Sequence, residues 1–419
     1  MKLRNLTFLL PLIFAGCTTV PNLVKNTGEK PILSGLDVLG RENYLKLKGK
    51  KVGLITNQTG VDQNLIQNVD LFLASPNVDL IAVMSPEHGF RGTVSAGEKI
   101  HSLIDRKTGI PYFSLYGKSK KPTKEMLQGI DVLVFDIQAI GVRSYTYIST
   151  LGLVMETAAE NNIELVVLDR PNPLGGLRVE GNNLDPKYKS FIGMYPIPYV
   201  YGLTIGELAL MINESNWLEP RPCHLTVIKM ENWKRETLCM DMKMEWVPPS
   251  PHIPTPATPF YVVSTGILGE LGVFSNGVGY TNPFHTIAAP WIDENEITVR
   301  MNELNLPGVV FRPVSYKPYY GPYEGKDVHG VQIHFLDRKK VNLISLQFYF
   351  LEIHQHIYPN KNPFQIASEN QINMFDKALG TDEIRKIFSR RFKANDLNGL
   401  FFKDVNKFRE SARKYYLYE

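Results

Sequence analysis

Several motifs that define common enzyme classes are missing from this chain of 419 residues. No GxGxxG or GxxxxGK[ST] loop occurs, so the sequence gives no reason to expect a dinucleotide or a nucleoside triphosphate. The GxSxG elbow of many serine hydrolases is also absent. HExxH does not occur, and His88 and His101 lack the spacing of zinc ligands on a helix. We therefore predict neither a cofactor nor a metal.

Cysteine is rare and the net charge is small. The three cysteines are Cys17, Cys223 and Cys239, and without a CxxC pair we expect no cysteine zinc site. Cys223 and Cys239 could form one disulfide, but their spacing does not decide this. The formal net charge is +4, and no basic tract indicates nucleic-acid binding. The oligomeric state stays open.

One hydrophobic stretch near the beginning of the chain indicates export, and it is too short to span a membrane. Residues 1–16 combine the basic start MKLRN with the apolar LTFLLPLIFAG, and small residues precede Cys17 as in a relaxed bacterial lipobox. We expect a signal peptide over 1–16, lipidation of Cys17 and a tether over 17–35. The protein would then be an exported lipoprotein of the cell envelope, periplasmic or associated with the outer membrane. An ordinary secretory signal with a chance cysteine is the alternative.

Alternating hydrophobic runs and helical patterns predict an α/β fold. Near-continuous apolar strands that alternate with helices are typical of a parallel sheet covered on both faces. We predict a Rossmann-like domain over 36–217 and a smaller mixed α+β domain over 218–419, closed by a helix over 405–416 that packs on the smaller domain. The second domain's predicted strands are HLTVIKM, GVVFRPVSY, GVQIHFLD and NLISLQFYFLEI.

Four strand-like runs of the first domain end beside polar side chains. These runs are KVGLIT, DLIAVMS, DVLVFDIQ and ELVVLDR. Ligands of open parallel sheets bind outside the carboxyl ends of the strands, so these ends predict an active-site rim. The polar residues at the ends are Asn57, Glu87, His88, Asp136, Gln138, Asp169 and Arg170.

Glu87 and His88 are the strongest candidates for chemistry. A carboxylate next to an imidazole, on a loop loosened by Gly89, suits general acid–base catalysis. Hydrolysis of a glycoside needs one carboxyl group as proton donor and often a second as base or nucleophile. The structural alternative is a salt bridge from Glu87 to Arg91 or Arg143. The candidates for a second carboxylate are Asp136, Asp169 and Glu180.

Other residues are candidates for holding a substrate. The guanidinium group of Arg143 could grip a carboxylate with two hydrogen bonds, or it could pair with Asp136. Tyr145 could stack or donate a hydrogen bond. His252, in the proline-rich segment 246–256, could cap a cleft or be structural. The remaining candidates for substrate binding are Asn57, His88, Arg91, Gln138, Arg170 and Asn172.

Seven segments together resemble a known family. These segments are GLITNQTGVD, SPEHGFRG, DVLVFDIQAIGVRSYTYIST, LVVLDRPNPLGG, SFIGMYPIPYVYGLTIGELA, WVPPSPHIPTP and APWID. They are similar to segments of the exo-β-N-acetylmuramidases, a glycoside hydrolase family formerly known as a domain of unknown function. The resemblance runs from about residue 36 to near the last residue. It implies a Rossmann-like domain beside a smaller one, a cleft between them, and a catalytic glutamate at Glu87 in the PEHG motif.

The activity that this resemblance implies is release of terminal N-acetylmuramic acid from peptidoglycan fragments, in cell-wall turnover or recycling. The chain departs from the family pattern at Ala139, at Tyr201 and in GVGYTNPF over 277–284, where a charged or titratable group is replaced by a neutral one. Muramic acid carries a carboxylate, so a preference for it over other amino sugars would rest on Arg143 or Arg170. The alternative function is a catalytically impaired lipoprotein that binds wall fragments. An esterase or deacetylase would need a nucleophile or metal that the sequence does not provide.

Overall fold

The computed structural model contains two β-sheets, and residues 32–419 belong to one compact unit. The residues that the structure describes are 30–87, 89–90, 103–104, 108–117, 119–219 and 221–419. Cys17, His88 and Arg91 lie outside these residues, as does the predicted signal peptide. No helix of the described ranges is long and apolar enough to cross a membrane.

The larger sheet has seven strands, six of which are parallel. In spatial order they run β3-β4-β2-β1-β5-β6-β7, and only β3 is antiparallel, to β4. The order extends outward from β1 in one direction and from β5 in the other, so the topological switch point lies between them. This arrangement confirms the predicted Rossmann-like parallel sheet. The strands are β1 (Lys51–Thr56), β2 (Asp79–Ser85), β3 (Leu103–Ile104), β4 (Pro111–Ser114), β5 (Val132–Asp136), β6 (Glu164–Leu168) and β7 (Leu225–Ile228).

Helices cover both faces of this sheet, which explains why its strands are apolar throughout. All five residues of β5 are buried, because side chains that alternate between the two faces meet a hydrophobic layer on either side. One layer contains α1 and α2 and the other contains α3 and α4. The four helices are α1 (Gly35–Arg41), α2 (Asn68–Ala74), α3 (Tyr147–Asn161) and α4 (Ile205–Glu214).

The second half of the chain forms a small antiparallel sheet surrounded by helices, as the predicted α+β domain requires. Its three strands lie in the order β8-β10-β9. They are β8 (Thr286–Ala289), β9 (Val309–Tyr316) and β10 (Val328–Phe335). The helices are α5 (Thr258–Gly269), α6 (Glu294–Glu303), α7 (Leu346–Ile357), α8 (Pro363–Ile366), α9 (Glu369–Leu379), α10 (Glu383–Arg391), α11 (Asn398–Phe402) and α12 (Val405–Ala412).

One predicted strand of the second domain is wrong, and another is a strand of the first sheet. NLISLQFYFLEI contributes to helix α7, where Leu346, Phe350, Leu351 and His354 are buried at helical spacing. A continuous apolar run does not distinguish a buried helix from a buried strand, and here the helical period decides. HLTVIKM supplies β7, which pairs in parallel with β6 and therefore extends the first sheet.

The predicted helix over 405–416 is shorter and packs elsewhere. Helix α12 ends at Ala412 and is followed by a 3-10 turn, Arg413–Tyr415. Phe408 and Tyr415 belong to the hydrophobic layer of α3 and α4, so the prediction that this helix packs on the smaller domain is wrong. The apolar face was visible in the sequence, but its partner was not.

Arg143 connects the loop before α3 to the second half of the chain. Its side chain is fully buried, and its guanidinium group donates hydrogen bonds of 2.7 Å to the main-chain carbonyls of Asn182, Ile197 and Leu379. Leu379 is the last residue of α9, where carbonyl groups lack partners within the helix. Burial lowers the pKa of Arg143 to about 10, which leaves the group charged at neutral pH. These contacts favour a structural role.

Replacement of Arg143 by methionine should destabilise the protein. Arg143→Met removes three buried hydrogen bonds from a charged donor, so we expect the free energy of unfolding to fall by at least about 2 kcal/mol. Urea denaturation followed by circular dichroism measures this change. Arg312→Met, at an exposed position, is the matched control and should stay within about 0.5 kcal/mol of the wild type. Equal stability of the two variants would contradict this role.

Candidate functional site

The carboxyl ends of β1 and β5 lie side by side at the switch point. Thr56 pairs with Asp136 in the register of these strands. The Asp136 carboxylate accepts hydrogen bonds from Arg170 Nε at 2.5 Å and Nη2 at 3.0 Å, and from Asn68 Nδ2 at 2.8 Å. Both members of the ion pair are buried. The structure thus brings Asp136 and Arg170 together as a closed pair within the rim.

Asp169 is also buried at the rim, where it contacts the N-terminus of α4. Its carboxylate accepts hydrogen bonds from the Thr204 hydroxyl at 2.7 Å, from the Gly206 amide at 2.8 Å and from the Tyr418 hydroxyl at 2.5 Å. Burial raises the pKa of this carboxyl group from 3.8 to about 7, although the three donors oppose the rise. These contacts favour a structural role for Asp169.

Glu180 contacts the loop that precedes α7. Its carboxylate pairs with Arg178 and accepts hydrogen bonds from the main-chain amides of Leu343 at 2.9 Å and Ile344 at 3.1 Å. The side chain is 6% exposed. This environment favours a role in joining the two halves of the chain.

Glu87 has a different environment from these three carboxylates. It is half-buried in the turn after β2, and one carboxylate oxygen, Oε2, accepts a hydrogen bond of 3.2 Å from the Thr146 hydroxyl. The rings of Tyr145 and Tyr147 meet edge to face beside it, with centroids 4.8 Å apart. Burial raises the pKa of both tyrosines, and the charge of Glu87 adds to the rise. A carboxyl group, a threonine hydroxyl and two tyrosines therefore share one place on the rim.

The proline-rich segment 246–256 closes this place from one side. Gln58 Nε2 donates to the carbonyl of Pro248 at 2.8 Å, and the Tyr147 hydroxyl donates to the carbonyl of Pro249 at 2.6 Å. Ser250 lies beside the Tyr145 hydroxyl. This segment therefore forms a wall beside the pair of Tyr145 and Tyr147.

His252 follows at the outer edge of the same wall. It is half-buried, and its Nε2 atom forms a hydrogen bond of 2.5 Å with the Tyr320 hydroxyl. Tyr320 lies in the loop between β9 and β10, so the wall joins the first sheet to the second. The capping role of His252 stays a prediction.

The amide side chains of the rim mainly shape its loops. Asn57 Oδ1 accepts hydrogen bonds from the Thr59 amide at 2.9 Å and its hydroxyl at 2.6 Å, while Asn57 also lies beside the Tyr147 hydroxyl. Gln138 and Asn172 donate to main-chain carbonyls at 2.7 and 2.9 Å. Asn57 is fully buried behind the tyrosine pair, and its contact with a substrate stays a prediction.

Sequence reasoning missed Thr146 and Ser250, which line the same place as Glu87 and Tyr145. The hydroxyl-rich run RSYTYIST before α3 is the signal that could have indicated Thr146. Ser250 carried no comparable signal, since its neighbours in the chain are prolines. Both were found only from their contacts.

The two remaining cysteines are free thiols. Cys223 and Cys239 are both buried and unbonded, which answers the question that their spacing left open. Burial raises the pKa of Cys223 to about 11 and that of Cys239 to about 12. Neither thiol is therefore activated as a nucleophile.

Family models match most of the chain. Residues 52–257 match the N-terminal model of exo-β-N-acetylmuramidase NamZ, and residues 260–418 match its C-terminal model. The boundary between the two models falls at the start of α5. The chain is 40% identical to the peptidoglycan β-N-acetylmuramidase NamZ of Bacillus subtilis strain 168 over 423 residues, which cover 100% of both chains.

Two solved structures have the same fold. Both are DUF1343 family proteins of Bacteroides fragilis NCTC 9343. One has a TM-score of 0.89 at 49% identity, covering 93% of this chain and 99% of the other. The second has a TM-score of 0.74 at 29% identity, with the same coverage of 93% and 99%.

The raised pKa of Asp169 predicts a specific pH dependence of stability. Because the folded-state pKa of about 7 exceeds the usual 3.8, the folded protein binds this proton more readily than the unfolded chain does. The resulting stabilisation is complete at acidic pH and is lost as the pH rises through about 7. The wild type should therefore lose free energy of unfolding relative to Asp169→Asn between about pH 4 and pH 8.

Urea unfolding at several pH values measures this difference. Thr204, Gly206, Tyr418 and Glu207 face the carboxyl group, and Asp169→Asn leaves all four in place. Asp70→Asn, at an exposed position on α2, should give a curve parallel to that of the wild type. Parallel curves for Asp169→Asn as well would disprove the raised pKa.

Proposed function

We propose that this chain is an exo-acting glycoside hydrolase. It belongs to the exo-β-N-acetylmuramidase NamZ family. It releases terminal N-acetylmuramic acid from peptidoglycan fragments, as in cell-wall turnover or recycling. The observation that carries this proposal is the full-length identity of 40% with a peptidoglycan β-N-acetylmuramidase. The half-buried Glu87 supports it, because a carboxyl group on an open rim can reach a glycosidic oxygen.

Glu87 is the general acid of this reaction. It gives its proton to the glycosidic oxygen while the bond from that oxygen to the anomeric carbon breaks. Water then adds to the anomeric carbon and gives up a proton, which restores the protonated form of Glu87, so the sum of the steps is hydrolysis of one C–O bond. Thr146 orients the carboxyl group through its hydrogen bond to Oε2.

Asp136, Asp169 and Glu180 support the rim in this proposal and do not contact the substrate. Each accepts several hydrogen bonds from neighbouring donors, and breaking such bonds in a buried place would leave donors without partners. Arg143 and Arg170 are engaged in the same way. Neither therefore serves as the grip for the muramic acid carboxylate.

Tyr145, Asn57 and Ser250 form the polar surroundings of the terminal sugar. They lie next to Glu87 or to the tyrosine pair beside it. Aromatic rings offer an apolar face to the C–H groups of a sugar, and their hydroxyl groups satisfy its polar atoms. These surroundings suit a sugar ring, because such a ring carries both C–H groups and polar atoms.

Replacement of Glu87 by glutamine should remove activity without unfolding the protein. Glutamine cannot supply the proton, so we expect the turnover rate to fall by about 100-fold to 10,000-fold. Release of free sugar from a disaccharide of N-acetylmuramic acid and N-acetylglucosamine, measured by mass spectrometry, checks this. The melting temperature should not change, because the side chain is half-buried and keeps its volume.

Two controls define the outcome. Glu42→Gln, at an exposed position, should retain full activity, and a disaccharide that ends in N-acetylglucosamine should not be cleaved by the wild type. Near-normal turnover by Glu87→Gln would refute the role of Glu87. Binding of the fragment by the wild type without release of sugar would instead favour a wall-fragment-binding lipoprotein.

The protein acts at the cell envelope as a lipoprotein in this proposal. The support is the sequence of residues 1–17, which combines a basic start, a short apolar run and Cys17 after small residues. The envelope is also where peptidoglycan fragments occur. A lipid anchor would hold the enzyme near its substrate.

Replacement of Cys17 by serine should release the protein from the membrane. The lipidated cysteine is the expected attachment point, so we expect Cys17→Ser to move from the membrane fraction to the soluble fraction on fractionation. Cys223→Ser, whose thiol is buried, is the control and should stay with the membrane. Wild-type protein in the soluble fraction would rule out the anchor.

A further inference from the structure

Two large aromatic side chains point into solvent next to the candidate site. The loop between β9 and β10 exposes 70% of Tyr319 and 47% of Tyr320. Exposed aromatic rings leave apolar surface in water, which is unfavourable unless something covers it. The ring of Tyr280 lies beside that of Tyr319, with centroids 5.8 Å apart.

The backbone that carries these rings is well fixed. The Tyr319 amide donates to the carbonyl of Gly279 at 2.8 Å, and the Gly325 amide closes the loop on Pro318 at 2.9 Å. Gly279 has a φ of +87°, and a Cβ atom there would lie 2.1 Å from the carbonyl oxygen of Tyr320. The contact between the two loops therefore requires glycine at this position.

Tyr319, Tyr320 and Tyr280 are called the aromatic platform below, and a second set of contacts fixes its base. The ring of Tyr280 stacks on the buried Tyr316 with centroids 4.6 Å apart. The Tyr323 hydroxyl donates to the carbonyl of Val273 at 2.9 Å. The exposed rings thus stand on a rigid support, and rigid aromatic surfaces bind with little loss of conformational entropy.

This platform is continuous with the place that contains Glu87. Ser250 lies beside Tyr145, and Ser250 and His252 are two residues apart, which is at most about 7 Å along the chain. His252 then contacts the Tyr320 hydroxyl at 2.5 Å. The chain between Ser250 and His252 thus links the buried rim to Tyr320.

We propose that Tyr319 and Tyr320, supported by Tyr280 and His252, form the binding site for the sugar ring that follows the scissile bond. This inference rests on the proposed function. An exo-acting hydrolase must place the terminal sugar beside Glu87 and let the rest of the fragment leave the pocket outward. The exposed tyrosines lie at the outer end of that path.

The chemistry of the platform fits an amino-sugar ring. One face of such a ring is lined with C–H groups and packs on the face of an aromatic ring, while its hydroxyl and acetamido groups stay in water. None of the four residues is a lysine or an arginine, so the platform offers no permanent positive charge to an acidic group and suits a neutral ring. The muramic acid preference is therefore decided elsewhere.

The test compares two substrates that share the terminal sugar. One is the disaccharide of N-acetylmuramic acid and N-acetylglucosamine, and the other is the methyl β-glycoside of N-acetylmuramic acid, which lacks the second ring. Tyr319→Ala and Tyr320→Ala should each raise KM for the disaccharide by roughly three- to tenfold. The KM for the methyl glycoside should not change, and kcat should be retained with both substrates.

Conservative and distant variants separate binding from damage. Tyr319→Phe and Tyr320→Phe keep the rings and should restore most of the affinity. Phe402→Ala removes another exposed ring, 36% exposed on α11, and should behave as the wild type. Equal loss with both substrates, or no loss with either, would overturn the subsite.

A binding measurement keeps this test independent of catalysis. Calorimetry with the disaccharide and the Glu87→Gln variant should give a Kd that rises by the same factor when Tyr320→Ala is added. If the wild type cleaves neither substrate, the proposed function fails while calorimetry still decides the subsite. An unchanged Kd in the double variant would disprove the subsite.

Discussion

The buried ion pair of Asp136 and Arg170 is the constraint on which the rim depends. Removing two charges from water is unfavourable, and only good geometry with further hydrogen bonds offsets this. Here the pair is bidentate, Asn68 donates to the same carboxylate, and Arg170 also donates to the carbonyl of Val61 at 3.1 Å. The ends of β5 and β6, helix α2 and the loop after β1 are thereby held together. Glu87 lies on the same rim, after the end of β2, beside strands whose ends are fixed in this way.

The proline-rich segment gives the site its second side. Carbonyl groups of residues 248 and 249 accept hydrogen bonds from Gln58, in the loop after β1, and from Tyr147, at the start of α3. Prolines are suited to this use, since they lack an amide hydrogen. His252 then contacts the loop between β9 and β10. A site built in this way needs both halves of the chain, which agrees with family models that match both.

The sequence predicted the parallel sheet well, because strands buried on two faces must be apolar along their whole length. It predicted less about the site. A position at the end of a strand does not decide whether a side chain faces a substrate or forms hydrogen bonds within the protein. Asp136, Asp169 and Glu180 were candidates for the second carboxylate, yet each accepts hydrogen bonds from donors in distant parts of the chain. The apolar run of α7 was mistaken for a strand for a related reason. Its helical spacing becomes visible only when the structure shows which of its side chains are buried.

The bond between Asp169 and Tyr418 joins residues 249 positions apart. The end of β6 in the first sheet is thus completed by a side chain synthesised long after that strand. A nascent chain lacks Tyr418 until residue 418 has been synthesised, so until then the carboxyl group of Asp169 is without one of its donors. All seven strands of the larger sheet precede residue 229, so this hydrogen bond at the end of β6 forms long after the strands themselves have been made.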